Sequence, residues 1–183
     1  GEGKLYNRNH QEVGNFPANE SLINGNLIVR DPYNNDLFYL FNIAGDGSAN
    51  PDLYVNKIDL RLNNGLGGIV EERLLKENIG SVMLTATRCR NGKDLWLLAL
   101  DITNRDSSFL LAYKIDKNGF DSKPKKIPFN VFIVLEGDRD GDVKISPDKK
   151  YLALSSNGQN WLFKFNDSTA QISEPVNFGY YGF

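Results

Sequence analysis

Short hydrophobic runs alternate with polar turns along this chain, and three stretches repeat the same order. Each stretch has a β-rich run, a polar turn and a second β-rich run, a pattern that predicts an antiparallel hairpin. The paired runs are 26–32 with 37–41, 82–88 with 95–100, and 142–147 with 151–155. We therefore expect three hairpins of similar construction.

A third and a fourth strand are predicted after each hairpin. Lys-Ile-Asp at 57–59 and 114–116, and Lys-Phe-Asn at 164–166, recur about fifty residues apart. A turn signal and a further apolar segment follow each of them, the apolar segments lying around 69–70, 127–129 and 172–178. Residues 69–76 also have helix-like spacing and good helix formers, but the repeat predicts a strand there.

Four antiparallel strands in every fifty or so residues are typical of a β-propeller blade. A β-sandwich also has strands at regular intervals, but it gives no reason to repeat a lysine motif at one strand end. We expect an all-β fold, a partial propeller forming one domain over 1–183. The predicted units are a blade remnant at 1–18, blades at about 20–77, 79–129 and 130–179, and the start of an inner strand at 180–183. Because an incomplete ring leaves strand edges open, we also expect an open arc or pairing with a second copy.

Three segments resemble a known group of proteins. They are Leu-Tyr-Asn-Arg-Asn-His-Gln at 5–11, the stretch 53–67, and the strand pair at 145–153. Together they resemble the WD-repeat-like or YVTN-like propeller region of large secreted Bacteroidetes surface proteins with gliding-motility-associated, type IX secretion sorting C-terminal domains. The resemblance implies an extracellular or cell-surface location, a ring of about seven blades, and the remainder of a longer chain as partner. It carries over no catalytic residues.

The composition limits the classes of partner and site that are expected for this protein. The formal net charge is −2 and the basic residues are scattered, so we expect no nucleic-acid groove. The longest strongly apolar run, 95–100, is far shorter than the ~20 residues that span a bilayer, so no membrane insertion is expected. A single cysteine excludes an internal disulfide and a cysteine-rich zinc cluster.

Two residues could take part in catalysis, but their surroundings favour structural roles. His10 is the one histidine, and histidine chemistry needs an orienting partner and a nucleophile nearby. Cys89 could be that nucleophile, but a small apolar residue at the end of an inner strand is the favoured interpretation. The sequence has no Gly-x-Ser-x-Gly elbow and no phosphate-binding loop. We predict no catalytic residues.

Acidic loops are the remaining candidates for a site. Asp138, Asp140 and Asp142 alternate as in calcium loops, but no glutamate follows at the distance of a bidentate ligand. A solvated turn is therefore favoured over a calcium site, and calcium is the cofactor that these loops would hold. If a ligand binds, we expect it on the face formed by the loops between second and third strands and by the crossovers between blades. The residues of that face are Asp46, Asn50, Asp52, Asn104, Arg105, Asp106, Asp138, Arg139 and Asp140.

The sequence favours a non-catalytic binding or scaffolding module with a protein or glycan ligand. One alternative is a lactonase-like propeller hydrolase with a metal in its channel. Another is a ligand-sensing propeller of a signalling receptor. A single histidine and few convergent carboxylates weigh against the hydrolase.

Overall fold

The computed structural model describes residues 2–18, 25–45, 51–104, 107–131, 133, 141–156 and 158–180. Within these ranges the fold is all-β, as predicted, and the strands form four separate antiparallel sheets. We number them sheets I to IV in chain order. Each sheet lies within one of the predicted units, except that Tyr180 ends the last strand of sheet IV instead of beginning a new inner strand.

The strand bounds follow the predicted repeat. Sheet I is a hairpin of β1 (Glu2–Tyr6) and β2 (Glu12–Pro17). Sheet II contains β3 (Asn26–Arg30), β4 (Leu37–Ala44), β5 (Asp52–Asp59) and β6 (Gly68–Lys76), with a helical turn α1 (Leu62–Gly65) before β6. Sheet III contains β7 (Leu84–Arg88), β8 (Leu95–Asn104), β9 (Ser107–Asp116), β10 (Gly119–Phe120) and β11 (Lys125–Pro128). Sheet IV contains β12 (Gly141–Ile145), β13 (Tyr151–Ser156), β14 (Gln159–Phe165) and β15 (Ile172–Tyr180).

Each sheet is a meander in which a strand pairs with the next strand of the chain. Sheets II and IV run β3-β4-β5-β6 and β12-β13-β14-β15, while β10 and β11 of sheet III both pair with β9. The three predicted hairpins are confirmed. The strand prediction for 69–76 is also confirmed, since β6 pairs along β5. Pairing with a neighbouring strand thus decides the conformation of a segment whose residues also suit a helix.

The turn between β5 and β6 depends on left-handed backbone conformations. Asn63 and Asn64 have φ angles of 52° and 57°, and Gly65 has a φ of 83°. Asparagine and glycine tolerate this region better than other residues do, which is why the Asn-Asn-Gly signal predicts a turn.

Sheet III is buried on both faces, which explains the continuous apolar run in β8. Leu97 and Ala99 belong to the core shared with sheet II, whereas Trp96, Leu98 and Leu100 belong to the core shared with sheet IV. Alternating side chains of a strand point to opposite faces, so a strand covered on both sides is apolar at every position. In sheet IV, by contrast, β13 alternates between exposed and buried residues because one of its faces is exposed.

The first strands of neighbouring sheets lie next to each other, β3 beside β7 and β7 beside β12. The approach is close at Gly141, the first residue of β12. A Cβ atom there would overlap the Met83 side chain and the backbone carbonyl oxygen of Ser155. Glycine is therefore required where sheets III and IV meet.

Candidate functional site

An apolar cavity of about 350 Å³ lies between the hairpin of sheet I and the face of sheet II that it covers. Gly14 of the hairpin lies against Ile69, and the Asn42 amide donates a hydrogen bond to the Pro17 carbonyl. The Asn56 amide in turn donates to Asn42 Oδ1 at 2.7 Å, and both asparagines are fully buried. The hydrogen bonds of Asn42 and Asn56 hold the hairpin toward one end of the face, whereas the contact of Gly14 with Ile69, the register partner of Ile58, lies beside the cavity at the other end.

The cavity walls are mainly hydrocarbon. Three of its apolar side chains remain substantially exposed: Ile28 at 55%, Tyr6 at 54% and Leu60 at 40%. The wall residues are Leu5, Tyr6, Asn7, Arg8, Val13, Ile28, Phe38, Ile58, Leu60 and Gly65 to Gly68. The Asn7 side chain is engaged in its own turn, where its oxygen accepts hydrogen bonds from the backbone of Asn9 and Gln11. The cavity therefore offers an apolar surface with polar groups near its mouth.

This cavity lies at the opposite end of sheet II from the predicted ligand face. Its walls include Ile58 and Leu60 at the end of β5, whereas Asp52 begins that strand. At about 3.3 Å per residue, roughly 20 Å separate the two ends. Sequence patterns did not identify the cavity, because Ile28, Phe38 and Ile58 occupy strand positions that predict core packing.

Most residues of the predicted ligand face lie outside the described residues. This applies to Asp46, Asn50, Arg105, Asp106, Asp138, Arg139 and Asp140, and to the side chain of Asn104. Asp52 is described, and its carboxylate accepts hydrogen bonds from the Asn78 backbone at 2.9 Å and from Tyr54 Oη at 3.4 Å. The loop face stays a prediction.

Of the proposed calcium ligands, Asp142 alone is described. Its carboxylate accepts a hydrogen bond from the Val143 backbone at 2.9 Å and pairs with Lys144 Nζ at 3.0 Å. Among the described residues, no group of three or more His, Cys, Asp or Glu side chains is arranged to hold a metal ion.

His10 and Cys89 are not brought together. His10 is exposed in the β1–β2 turn, where its backbone NH donates to the Asn7 carbonyl at 3.0 Å and its φ is 60°. Cys89 is buried in the core between sheets III and IV. Burial raises the pKa of the Cys89 thiol to about 11, so the thiolate that would act as a nucleophile is disfavoured.

Two aspartates in the turns before or after strands link neighbouring sheets. Asp94, which precedes β8 in sheet III, accepts a hydrogen bond from Tyr33 Oη of sheet II at 2.7 Å and pairs with Lys114 Nζ at 2.8 Å. The hydrogen bonds from Lys114 and Tyr33 hold the pKa of Asp94 below its usual value. Asp167 of sheet IV plays a similar part through its backbone, since its carbonyl accepts from Trp96 Nε1 at 3.0 Å.

A second, more polar crevice of about 160 Å³ lies between sheets II and III. One wall carries Tyr39, Val55, Lys57, Glu71 and Arg73 of sheet II, and the other is the turn from Asn118 to Phe120. It faces sheet III, so it lies on the opposite face of sheet II from the apolar cavity.

Comparisons with known proteins found two solved structures. One, covering 94% of this chain and 46% of its own, is described as a functionally unknown protein from Desulfotomaculum acetoxidans, at 17% identity and a TM-score of 0.45. The other is described as a "putative 6-phosphogluconolactonase" from Bacteroides fragilis, at 14% identity and a TM-score of 0.43, with 85% and 38% of the two chains covered. The chain thus spans less than half the length of either structure. No family model and no curated protein matches it, and no helix in the described part of the chain is long and apolar enough to cross a membrane.

Proposed function

We propose that the chain is an arc of a β-propeller that serves as a binding module. Three features of sheets II to IV support the arc: each is a meander, neighbouring sheets share a hydrophobic core, and their first strands lie side by side. Radial packing of this kind leaves outer strands further apart than inner ones. A sandwich of stacked sheets has no such divergence.

Distances between spin labels would test the radial arrangement. One pair replaces Val70 on β6 and Val176 on β15, and a second pair replaces Ile28 on β3 and Lys144 on β12; all four side chains are exposed. Double electron–electron resonance should give a clearly longer distance for the outer pair. Equal distances for both pairs would contradict the propeller arc.

The apolar cavity beneath the sheet I hairpin is the feature that supports a binding function. Its volume of about 350 Å³ falls in the range of small-molecule sites, roughly 300–1,000 Å³. Apolar ligands bind favourably to a concave apolar surface, because displacing water from that surface lowers the free energy of the system. We propose a small, predominantly apolar molecule as the occupant.

The binding experiment uses N-phenyl-1-naphthylamine, a neutral apolar fluorophore. The wild-type chain should bind it saturably at one site, with enhanced fluorescence. Ile28→Trp fills the cavity and should weaken binding about tenfold, equivalent to about 1.4 kcal/mol. Val70→Trp is the matched control, because Val70 is exposed on the same sheet and lies outside the cavity walls. Absence of saturable binding, or equal weakening by both substitutions, would contradict the proposal.

From the resemblance to secreted surface proteins, we also propose an extracellular or cell-surface location for the protein. A surface protein should be cleaved when intact cells are treated with protease, under conditions that leave a cytoplasmic marker uncut. Protection of the chain in intact cells would argue against that location.

A further inference from the structure

Three lysines occupy equivalent positions in sheets II, III and IV. Each is near the end of the third strand, and each is the register partner of an aromatic residue on the second strand. The pairs are Lys57 with Tyr39, Lys114 with Trp96, and Lys164 with Tyr151.

Two of these lysines have a carboxylate partner, and the third has none among the residues that the structure describes. Lys114 Nζ lies 2.8 Å from Asp94, and Lys164 Nζ lies 2.7 Å from Glu174. Lys57 has no carboxylate within ion-pair distance among the described residues. Its register partner on β6, Glu71, pairs with Arg73 instead.

Lys57 is also partly buried, in contrast to an ordinary surface lysine. Its side chain lines the crevice of about 160 Å³ between sheets II and III. Opposite it lies the β9–β10 turn, in which Gly119 has a φ of 96° and the Asn118 amide side chain forms no hydrogen bond with another described residue. A partly buried cation without a direct ion-pair partner has lost some of its hydration, and an anion that enters the crevice would replace the lost interactions.

We propose that the crevice around Lys57 binds a small monocarboxylate. The residues that line the crevice include two cations, Lys57 and Arg73, and one carboxylate, Glu71, so the lining itself carries a net charge of +1 and suits a monoanion. The volume is about that of five water molecules at ~30 Å³ each, enough for a ligand of a few heavy atoms. This site is separate from the apolar cavity and does not depend on the propeller assignment.

Acetate is the probe, titrated at pH 7 against chloride at constant ionic strength and followed by ¹H–¹⁵N NMR. The backbone amides of Asn118, Gly119 and Phe120 should shift saturably in the wild-type chain. Lys57→Gln should raise the dissociation constant for acetate about tenfold, because it removes one charge-assisted hydrogen bond. Lys164→Gln is the matched control, since it alters the equivalent position in sheet IV and should leave the titration unchanged.

Two further measurements keep the proposal open to refutation. Sulfate, a dianion at pH 7, should bind more weakly than acetate, because its charge exceeds the net charge of the residues that line the crevice. In the wild-type chain with ¹³C-methylated lysines, the Lys57 resonance should move with acetate while that of Lys164 stays fixed, a test that needs no substitution. An unchanged titration in folded Lys57→Gln, tighter binding of sulfate than of acetate, or an unmoved Lys57 resonance would each overturn the proposal.

Discussion

Sheet III makes two interfaces, one with sheet II and one with sheet IV. Equivalent positions contribute to both, but the residues at those positions form different contacts. At the III–IV interface the indole of Trp96 donates to the Asp167 carbonyl of the next sheet, and Lys125 Nζ lies 5.0 Å from the centre of the Trp96 ring. At the II–III interface Tyr39 occupies the equivalent position, and its hydroxyl donates back to Asp31 of its own sheet at 3.1 Å.

The interface between sheets II and III also has a crevice. Between sheets II and III, Phe120 contacts the aromatic rings of Tyr39, Phe41 and Tyr113 at centroid distances of 5.4–5.8 Å. These rings pack together in the core, and the crevice that Lys57 lines lies beside them. At this position of the second strand, the III–IV interface has Trp96 and the II–III interface has Tyr39, and the crevice lies beside the smaller side chain.

The largest effect is expected from removing the indole that fills the III–IV interface. Trp96 is 2% exposed, so Trp96→Ala should lower the free energy of unfolding by about 3–5 kcal/mol, measured by urea denaturation. Trp96→Phe should lower the free energy of unfolding by less than Trp96→Ala does. It should still lower it by more than Trp161→Phe does, because Trp96 also loses its hydrogen bond to Asp167 whereas Trp161 Nε1 has no partner among the described residues. Equal losses in the two Phe variants would contradict this account.

A smaller effect is expected where β7 and β12 approach each other. Gly141→Ala should destabilise the chain by about 1–3 kcal/mol, since the new methyl group overlaps backbone that cannot easily move. Gly68→Ala is the control, because the atoms around it belong to the side chains of Leu62 and Asn63. Thermal unfolding of both variants measures the difference, and a tolerated Gly141→Ala would mean that the Ser155 backbone and the Met83 side chain do not lie as close to Gly141 as described.

The link across the II–III interface should depend on pH. Asp94→Asn should cost about 1–2 kcal/mol at neutral pH, because it weakens charge-assisted hydrogen bonds from Lys114 and Tyr33. These bonds lower the folded pKa of Asp94, so the stabilisation is fully present above its unfolded pKa of about 3.9 and is lost as the pH falls through the folded value.

Urea denaturation of wild type and Asp94→Asn between pH 2 and 7 would check this dependence, with the difference between them shrinking below about pH 4. Asp36→Asn supplies the control, since Asp36 precedes the second strand of sheet II as Asp94 does in sheet III and is exposed. A difference that stays constant into acid would exclude Asp94 as its source.

The smallest effect on stability is expected at the unpaired lysine. Lys57→Gln should change the free energy of unfolding by less than about 0.5 kcal/mol in chloride buffer, because no described carboxylate loses its partner. Lys114→Gln should cost more, since it leaves buried Asp94 without its cation. If both substitutions cost the same, the contrast between the two interfaces would not lie in their lysines.

Much of the fold could be predicted from the repeat. The hairpins, the lysine-containing strand ends and the strand at 69–76 follow from the order of apolar runs and turn residues, and all are present. The candidate sites could not be predicted in this way. Ile28 and Lys57 lie on opposite faces of sheet II, and only the covering of each face distinguishes a cavity from a packed core.

By itself, the sequence determined local structure: which segments form strands, and that Asn63, Asn64 and Gly65 form a turn, because these depend on side-chain alternation and backbone preference. Only the tertiary structure decided which strand faces are covered. The run of apolar residues in β8 is explained by two flanking sheets, whereas β13 has one. Equivalent residues such as Trp96 and Tyr39 differ in size and in the turn that they reach, because Trp96 bonds to Asp167 of the next sheet and Tyr39 bonds to Asp31 of its own. For that reason the presence of a crevice between sheets II and III depends on packing that no local pattern specifies.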